Sequence, residues 1–124
     1  MNERYNNIEK LANDTTGLIG PGIDELIKPL VILLNYHGVE TEMSCQGHKN
    51  YGLPYPWIDC NIEHLPQFIS LMNDEINKFQ IEFIWDDEFN LKISTFRIMP
   101  QSKTIKNGRK EFKKIEDYLL SKIN

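Results

Sequence analysis

The chain has 124 residues, of which 40% are hydrophobic and 26% charged, and its net charge is -4 at pH 7. That length fits a single domain spanning residues 1–124, and the composition excludes collagen, coiled coils and wholesale disorder. No apolar run approaches the roughly 20 residues of a membrane span, no secretory signal opens the chain, and the two cysteines are therefore expected to be reduced thiols in a cytoplasmic protein.

The first part of the chain is predicted to contain two helices and a strand. Residues 1–19 have the pattern of a short helix followed by a flexible connection. Apolar residues then recur at helical spacing over residues 23–34, with Gly38 as a natural stop, and Pro29 means that this helix either kinks or begins there. Alternating apolar and polar residues predict a strand over 39–45. Its buried face is expected to carry Val39, Thr41, Met43 and Cys45.

The middle of the chain is predicted to form a loop, a second strand and a helix. The loop, residues 46–56, is rich in glycine, proline and tyrosine. The strand follows over residues 57–62, and Pro66 opens a helix with a one-sided apolar stripe. One face of the strand is expected to carry Ile58, Cys60 and Ile62.

The last part is predicted to form two strands and a helix. Alternation indicates strands near 80–85 and 89–98, and the apolar phase of the second strand shifts in a way that predicts a β-bulge around Ser94 and Thr95. A final helix is expected to start near Asn107. The order α-β-β-α-β-β-α then predicts an α+β fold, a two-layer sandwich in which helices cover one face of a four-stranded, mainly antiparallel sheet.

The most informative segment is residues 44–48, Ser-Cys-Gln-Gly-His, followed by an aromatic-rich stretch over 51–59. Here the chain resembles a group of small, largely uncharacterised bacterial and phage proteins. In these, a helix and a strand lead into a Ser-Cys-x-Gly-His loop and then an aromatic-rich strand. The resemblance covers roughly residues 20–60. It implies where a site lies and implies no activity.

A metal site is one interpretation of this segment. Four residues have the spacing C-x2-H-x11-C-x3-H, and thiolate and imidazole are the ligands that zinc prefers, so zinc is the cofactor that this interpretation implies. The alternative is that Cys60, between Ile58 and Ile62, is a small buried hydrophobe. The predicted ligands are Cys45, His48, Cys60 and His64.

A catalytic interpretation assigns Cys45 as a nucleophile, His48 as its base and Asp59 as the group that orients the imidazole. Cys45 ends a strand beside Gly47, where a thiol can be exposed and activated. The alternative is structural: His48 bonds to the backbone of a tight loop, and Gly47 supplies the positive φ that the turn requires.

A ligand-binding interpretation uses the aromatic and cationic residues. Rings near the loop can stack on a base, while cations meet its negative charge. Arg109 and Lys110 are expected in the first turn of the last helix, where a bound anion offsets the unfavourable dipole interaction, so removing the Arg109 side chain should weaken binding with little effect on folding. The alternative is an ordinary loop cluster with solvated cations. The predicted ligand-binding residues are Gly47, Tyr51, Tyr55, Trp57, Arg97 and Arg109.

Charge distribution favours a small anionic ligand over long nucleic acid. Residues 1–100 have a net charge of -8, whereas residues 101–124 have a net charge of +4. The leading hypothesis is therefore a protein that binds a nucleotide-like or other anionic aromatic ligand, such as a phage-type sequestering protein, without a membrane partner. The alternatives are a metal- or cysteine-dependent hydrolase centred on Cys45 and His48, and a zinc-bearing interaction module. The sequence leaves turnover and oligomeric state open, a homo-oligomer included.

Overall fold

A computed structural model describes Lys10 and residues 24–50, 52–86 and 92–123. The predicted N-terminal helix and flexible connection, residues 1–19, lie outside the described residues apart from Lys10. None of the helices in the described ranges has the length and apolar character that a bilayer crossing demands.

The described chain alternates helices and strands in the predicted order, α-β-β-α-β-β-α. Pro29 is the second residue of the first helix, so it begins that helix and does not kink it. Two 3-10 turns, Ile62–His64 and Asn73–Lys78, flank the second helix. The helices are α1 (Lys28–Tyr36), α2 (Leu65–Met72) and α3 (Ile105–Ser121), and the strands are β1 (Thr41–Cys45), β2 (Trp57–Asn61), β3 (Phe79–Asp86) and β4 (Lys92–Pro100).

The four strands form one antiparallel sheet in the order β1-β2-β4-β3. The helices pack on one face of it, which we call the covered face, and this arrangement confirms the predicted α+β sandwich. The opposite side is called the open face. The core between sheet and helices includes Ile58, Cys60, Phe96 and Ile98 from the strands and Leu33, Leu34, Phe68, Met72, Phe112 and Leu119 from the helices.

The predicted bulge in β4 is confirmed. Ile84 of β3 pairs with Thr95, but the next residue, Trp85, pairs with Ile93, so Ser94 is the extra residue. A bulge of this kind lets the strand keep its apolar side chains on one face although their spacing changes.

A second bulge, in β1, makes the predicted buried face of that strand wrong. Thr41 pairs with Cys60 and Met43 pairs with the neighbouring Asp59, so Glu42 is the extra residue. Side chains of a strand alternate between faces, and one extra residue reverses the alternation. Thr41 is therefore buried, Met43 is 64% exposed and Cys45 lies on the open face opposite Trp57.

The last helix begins two residues earlier than predicted. Thr104 is its N-cap, and the Thr104 hydroxyl accepts a hydrogen bond from the Asn107 amide at 3.3 Å. Lys106 therefore lies in the first turn, and Arg109 lies in the second turn. This corrects the expectation that Arg109 and Lys110 occupy the first turn.

Candidate functional site

The motif loop, residues 46–56, turns sharply at Gly47. Gly47 has φ +88, a conformation that an L side chain rarely adopts, and a Cβ there would lie 2.9 Å from the carbonyl carbon of Tyr55. The His48 amide donates to the Leu53 carbonyl at 3.2 Å, which closes the loop on itself. The structure therefore confirms that Gly47 supplies a positive φ. Tyr51 lies outside the described residues.

Arg109 holds this loop against α3. Its Nε donates to the Gln46 carbonyl and its Nη2 donates to the Gly47 carbonyl, both at 2.9 Å. The guanidinium fork thus spans two consecutive carbonyls, and such charge-assisted bonds are stronger than neutral ones. The sequence predicted a misplaced cation whose removal leaves folding unchanged, but these two hydrogen bonds lead us to expect a loss of stability instead.

Gln46 joins the same loop to the start of α1. Its backbone amide donates to Asp24 Oδ2 at 2.9 Å, and its side-chain Oε1 accepts from the Leu26 amide at 3.1 Å. Together with the Arg109 contact, these bonds connect the end of β1 to both α1 and α3. The sequence reasoning missed Gln46 and Asp24, because neither a periodic pattern nor a short motif links two residues so far apart.

Three side chains of different chemistry converge at this point. One ligand atom each from Asp24, Cys45 and His48 lies within 4.8 Å of the other two, and His48 Nε2 is 3.8 Å from Asp24 Oδ2. The Gly47 amide donates to Cys45 Sγ at 3.4 Å. All three side chains are half-buried. We call this group the Asp-Cys-His cluster.

The four predicted zinc ligands do not come together. Cys60 is fully buried on the covered face, whereas Cys45 is on the open face. Burial, reinforced by the carboxylates of Asp59 and Glu42, raises the pKa of the Cys60 thiol far above its usual range, so it stays protonated. His64 lies 3.6 Å from Glu40 and not beside His48. Spacing along the chain indicated the ligand types, but the pleat of β2 places Cys60 on the wrong face.

Asp59 also differs from its predicted role. It receives two hydrogen bonds from Arg97, at 2.7 Å from Nε and 3.0 Å from Nη2, instead of orienting His48. The hydrogen bonds that Arg97 donates to the Asp59 carboxylate raise the pKa of Arg97. The positive charge of Arg97 is thus balanced by the Asp59 carboxylate on the same sheet face, and not by a bound ligand as predicted.

The described aromatic side chains near the motif face cations of the protein itself. The Arg97 guanidinium carbon lies 4.3 Å from the centre of the Trp57 ring, and Lys103 Nζ lies 4.8 Å from the centre of the Tyr55 ring. These are cation–π contacts. Tyr55, Trp57 and Arg97 do not line the groove described next, so these three predicted ligand-binding residues are not part of it.

A groove of about 420 Å³ lies between the start of α1 and α3, beside the motif loop. Small-molecule sites in proteins span roughly 300–1,000 Å³, so this volume suits a small ligand. Most of the surface area of its wall is apolar, and Gln46 borders it on the side of the Asp-Cys-His cluster. The groove is lined by Glu25, Leu26, Ile27, Pro29, Leu30, Gln46, Pro56, Lys106, Arg109, Lys110, Phe112, Lys113 and Glu116.

The α3 side of this groove is cationic. Lys106, Arg109, Lys110 and Lys113 follow the helical spacing that places residues on one face, and all four line the groove. Lys113 Nζ lies 3.0 Å from Oε2 of the buried Glu116, and Arg109 holds the motif loop. Lys106 and Lys110 are exposed at the surface of the groove. A sequence signal for them existed, since both belong to the basic C-terminal segment.

No protein-family model, curated protein or solved structure matches the chain. The resemblance to bacterial and phage proteins with a Ser-Cys-x-Gly-His loop therefore stays a prediction. A function for the protein is therefore argued from the residues of the groove and of the Asp-Cys-His cluster.

Proposed function

We propose that this protein binds a small ligand with an apolar body and an anionic group in the groove between α1 and α3. The observation that carries the proposal is the combination of an apolar wall with a cationic helix face in one concave site. Ligand sites in proteins commonly combine these two features: apolar contacts supply burial, and a few polar groups fix the orientation.

The cations differ in what they offer to such a ligand. Arg109 is bonded to the motif loop and Lys113 is paired with Glu116, so Lys106 and Lys110 supply the charge for an incoming anion. Lys106 lies in the first turn of α3, where the helix dipole disfavours a cation. An anion beside it favours both the lysine and the free amides of that turn.

A nucleotide-like molecule is the member of this class that we propose, bound and sequestered without turnover. Its phosphate would face the two lysines, and its base would lie against the apolar wall formed by residues such as Leu26, Pro29 and Phe112. The acidic remainder of the chain, with a net charge of -8 over residues 1–100, disfavours long polyanions at any distance. This charge pattern supports a small anion.

The test measures binding of four probes by calorimetry: AMP, ATP, octanoate and inorganic phosphate. In the variant carrying both Lys106→Gln and Lys110→Gln, the affinity for the nucleotide that binds best should fall about tenfold, which corresponds to about 1.4 kcal/mol. Lys114→Gln is the matched control, because Lys114 is an exposed lysine of the same helix that does not line the groove. Failure of all four probes to bind, or an equal loss in the control, contradicts the proposal.

The apolar wall is tested separately with Leu26→Ser. Leu26 is 62% exposed and lines the groove, so this change removes apolar surface from the site with little effect on the core. Binding of AMP or octanoate should weaken several-fold, whereas binding of inorganic phosphate should not change. A loss confined to phosphate would show that the apolar wall has no part in binding.

A further inference from the structure

The Asp-Cys-His cluster is assembled from two distant segments of the chain. Asp24 precedes α1, Cys45 is the last residue of β1, and His48 follows in the motif loop. Their ligand atoms lie within 4.8 Å of one another. These residues are distinct from the two lysines proposed to bind an anion, so this site and the proposed function can fail independently.

We propose that Asp24, Cys45 and His48 bind a zinc ion. With Zn–N and Zn–O bonds of about 2.0–2.1 Å and Zn–S bonds of about 2.3 Å, the ligand atoms of a tetrahedral site lie about 3.3–3.6 Å apart. The separation of His48 Nε2 and Asp24 Oδ2 is 3.8 Å, too long for a hydrogen bond and close to that tetrahedral edge.

Charge and chemical type agree with this assignment. A carboxylate and a thiolate carry two negative charges, and a neutral imidazole adds none, so the three ligands balance the charge of Zn²⁺. Sulfur and imidazole nitrogen favour zinc over magnesium or calcium, which prefer oxygen ligands. Asp24 thus takes the place that the sequence pattern had given to Cys60 and His64.

Hydrogen bonds from the loop backbone support two of the three ligands. The Gln46 amide donates to Asp24 Oδ2 at 2.9 Å, and the Gly47 amide donates to Cys45 Sγ at 3.4 Å. Ligating groups in metal sites are commonly held by such outer contacts, which orient them towards the metal. The positive φ of Gly47 lets the chain turn so that Cys45 and His48 reach the same point.

The coordination number bears on what the site can do. Three half-buried protein ligands leave the fourth tetrahedral position for water or for a group of a ligand, as in catalytic zinc sites and in contrast to closed four-ligand structural sites. Gln46 lies between this cluster and the groove, because its amide bonds to Asp24 and its side chain borders the groove. A zinc ion here would be within the same loop that shapes the ligand groove.

The test uses the full chain, stripped with a chelator and then titrated with Zn²⁺ and, separately, with Co²⁺. We expect one ion per chain, and the cobalt form should show a thiolate-to-cobalt charge-transfer band with the intense visible bands of tetrahedral coordination. Loss of a hydrogen bond that supports a metal ligand typically costs about 10–100-fold in metal affinity. Loss of a ligand itself costs more, so Cys45→Ser should weaken Zn²⁺ binding by at least about 100-fold. Asp24→Asn should also weaken it strongly.

The matched controls are Cys60→Ala and His64→Gln, the other cysteine and a histidine of the originally predicted set. Both should bind zinc within about threefold of the unchanged protein. Should Cys45→Ser fail to fold, alkylation of the unchanged protein decides the matter, because bound Zn²⁺ should slow the reaction of Cys45. The proposal is overturned if no ion binds stoichiometrically or if the cobalt spectrum lacks the thiolate band. It is also overturned if Zn²⁺ leaves the alkylation rate of Cys45 unchanged, or if the control variants lose zinc binding as the cluster variants do. Nucleotide binding is measured separately in the presence of chelator, so a failure of the zinc proposal leaves the test of the proposed function unchanged.

Discussion

The covered and open faces of the sheet are stabilised by different interactions. On the covered face, Ile58, Cys60, Phe96 and Ile98 pack against the helices and are at most 2% exposed. On the open face, Arg97 lies over Trp57 and makes two hydrogen bonds to Asp59. Burial of apolar area thus stabilises one face, and a few directional, charge-assisted contacts organise the other.

This difference explains where the candidate chemistry lies. A packed apolar layer has its polar groups satisfied and excludes water, so a thiol such as Cys60 stays protonated there. The open face and the adjoining motif loop keep Cys45 and His48 half-buried, with solvent access and hydrogen-bond donors nearby. The Asp-Cys-His cluster belongs to this second region, whereas the ligand groove lies in the helical layer and meets the motif loop at Gln46.

Truncation of the covered face should have the largest effect on stability. Phe96 is fully buried, and its ring centre lies 5.4 Å from that of Phe68. Phe96→Ala should lower the free energy of unfolding by about 3–5 kcal/mol, since it removes buried apolar area and leaves a cavity. Trp57→Ala is the open-face counterpart and should cost only about 1–2 kcal/mol, because that ring is partly exposed. Equal losses in denaturant titrations would contradict the comparison.

How well the sequence predicts the fold depends on whether a structural change alters the hydrophobic pattern. The bulge at Ser94 was predictable, because apolar residues on either side of it change phase. The bulge at Glu42 was not, because Met43 and Cys45 are apolar and continue a regular alternation, although the bulge turns both to the open face. A period of two identifies a strand, but it does not guarantee which face is buried.

The candidate site was predictable only where it is local in sequence. Cys45, Gly47 and His48 belong to one short motif, and the positive φ of Gly47 followed from the turn. Asp24 and Arg109 reach the same loop from 22 and 62 or 63 residues away, and only tertiary packing brings them there. Their contacts leave no periodic signal in the sequence.

Loss of Arg109 tests whether charge-assisted bonds hold the motif loop. Arg109→Ala removes both hydrogen bonds to the carbonyls of Gln46 and Gly47, so the free energy of unfolding should fall by about 2 kcal/mol, within the range for bonds from charged groups. The neighbouring Lys110→Ala should change it by less than about 0.5 kcal/mol, as expected for an exposed side chain. Chemical denaturation monitors both variants, and similar values for the two would mean that the fork does not stabilise the loop.

A double-mutant cycle on Asp59 and Arg97 measures the open-face ion pair directly. The two variants to alanine and their combination should give a coupling energy of about 1–2 kcal/mol, because the pair is bidentate and Asp59 is buried. The pair of half-buried Glu75 and exposed Lys78, at 2.6 Å, is the control and should couple by less than about 0.5 kcal/mol, because the Lys78 side chain is 66% exposed to solvent. If the control pair couples as strongly, geometry and burial are not what make the open-face pair favourable.

The two cysteines compare the faces through reaction rates. Iodoacetamide should alkylate Cys45 in the native protein much faster than Cys60, because Cys45 is half-buried at a strand end and Cys60 is fully buried with a raised pKa. Mass spectrometry of digested samples gives the two rates, with Cys60→Ala as the control for the assignment. Equal protection of both thiols would show that Cys45 is not accessible.

A smaller effect is expected from His37, which lies among the helices that form the covered layer. Its Nε2 is 3.3 Å from the Leu119 carbonyl, and burial lowers the pKa of His37 below its ordinary value of about 6.5, with Lys122 acting in the same direction and the Leu119 contact opposing it. Between the lowered pKa and about 6.5 the unfolded chain binds more protons than the native protein, so stability should fall as the pH drops through this window and level off below it. His37→Gln should flatten that dependence in denaturant titrations between pH 7 and pH 5, whereas His64→Gln leaves the His37 contribution in place. If the unfolding free energy of His37→Gln still falls as the pH drops, the acid sensitivity comes from another group and not from burial of the His37 imidazole.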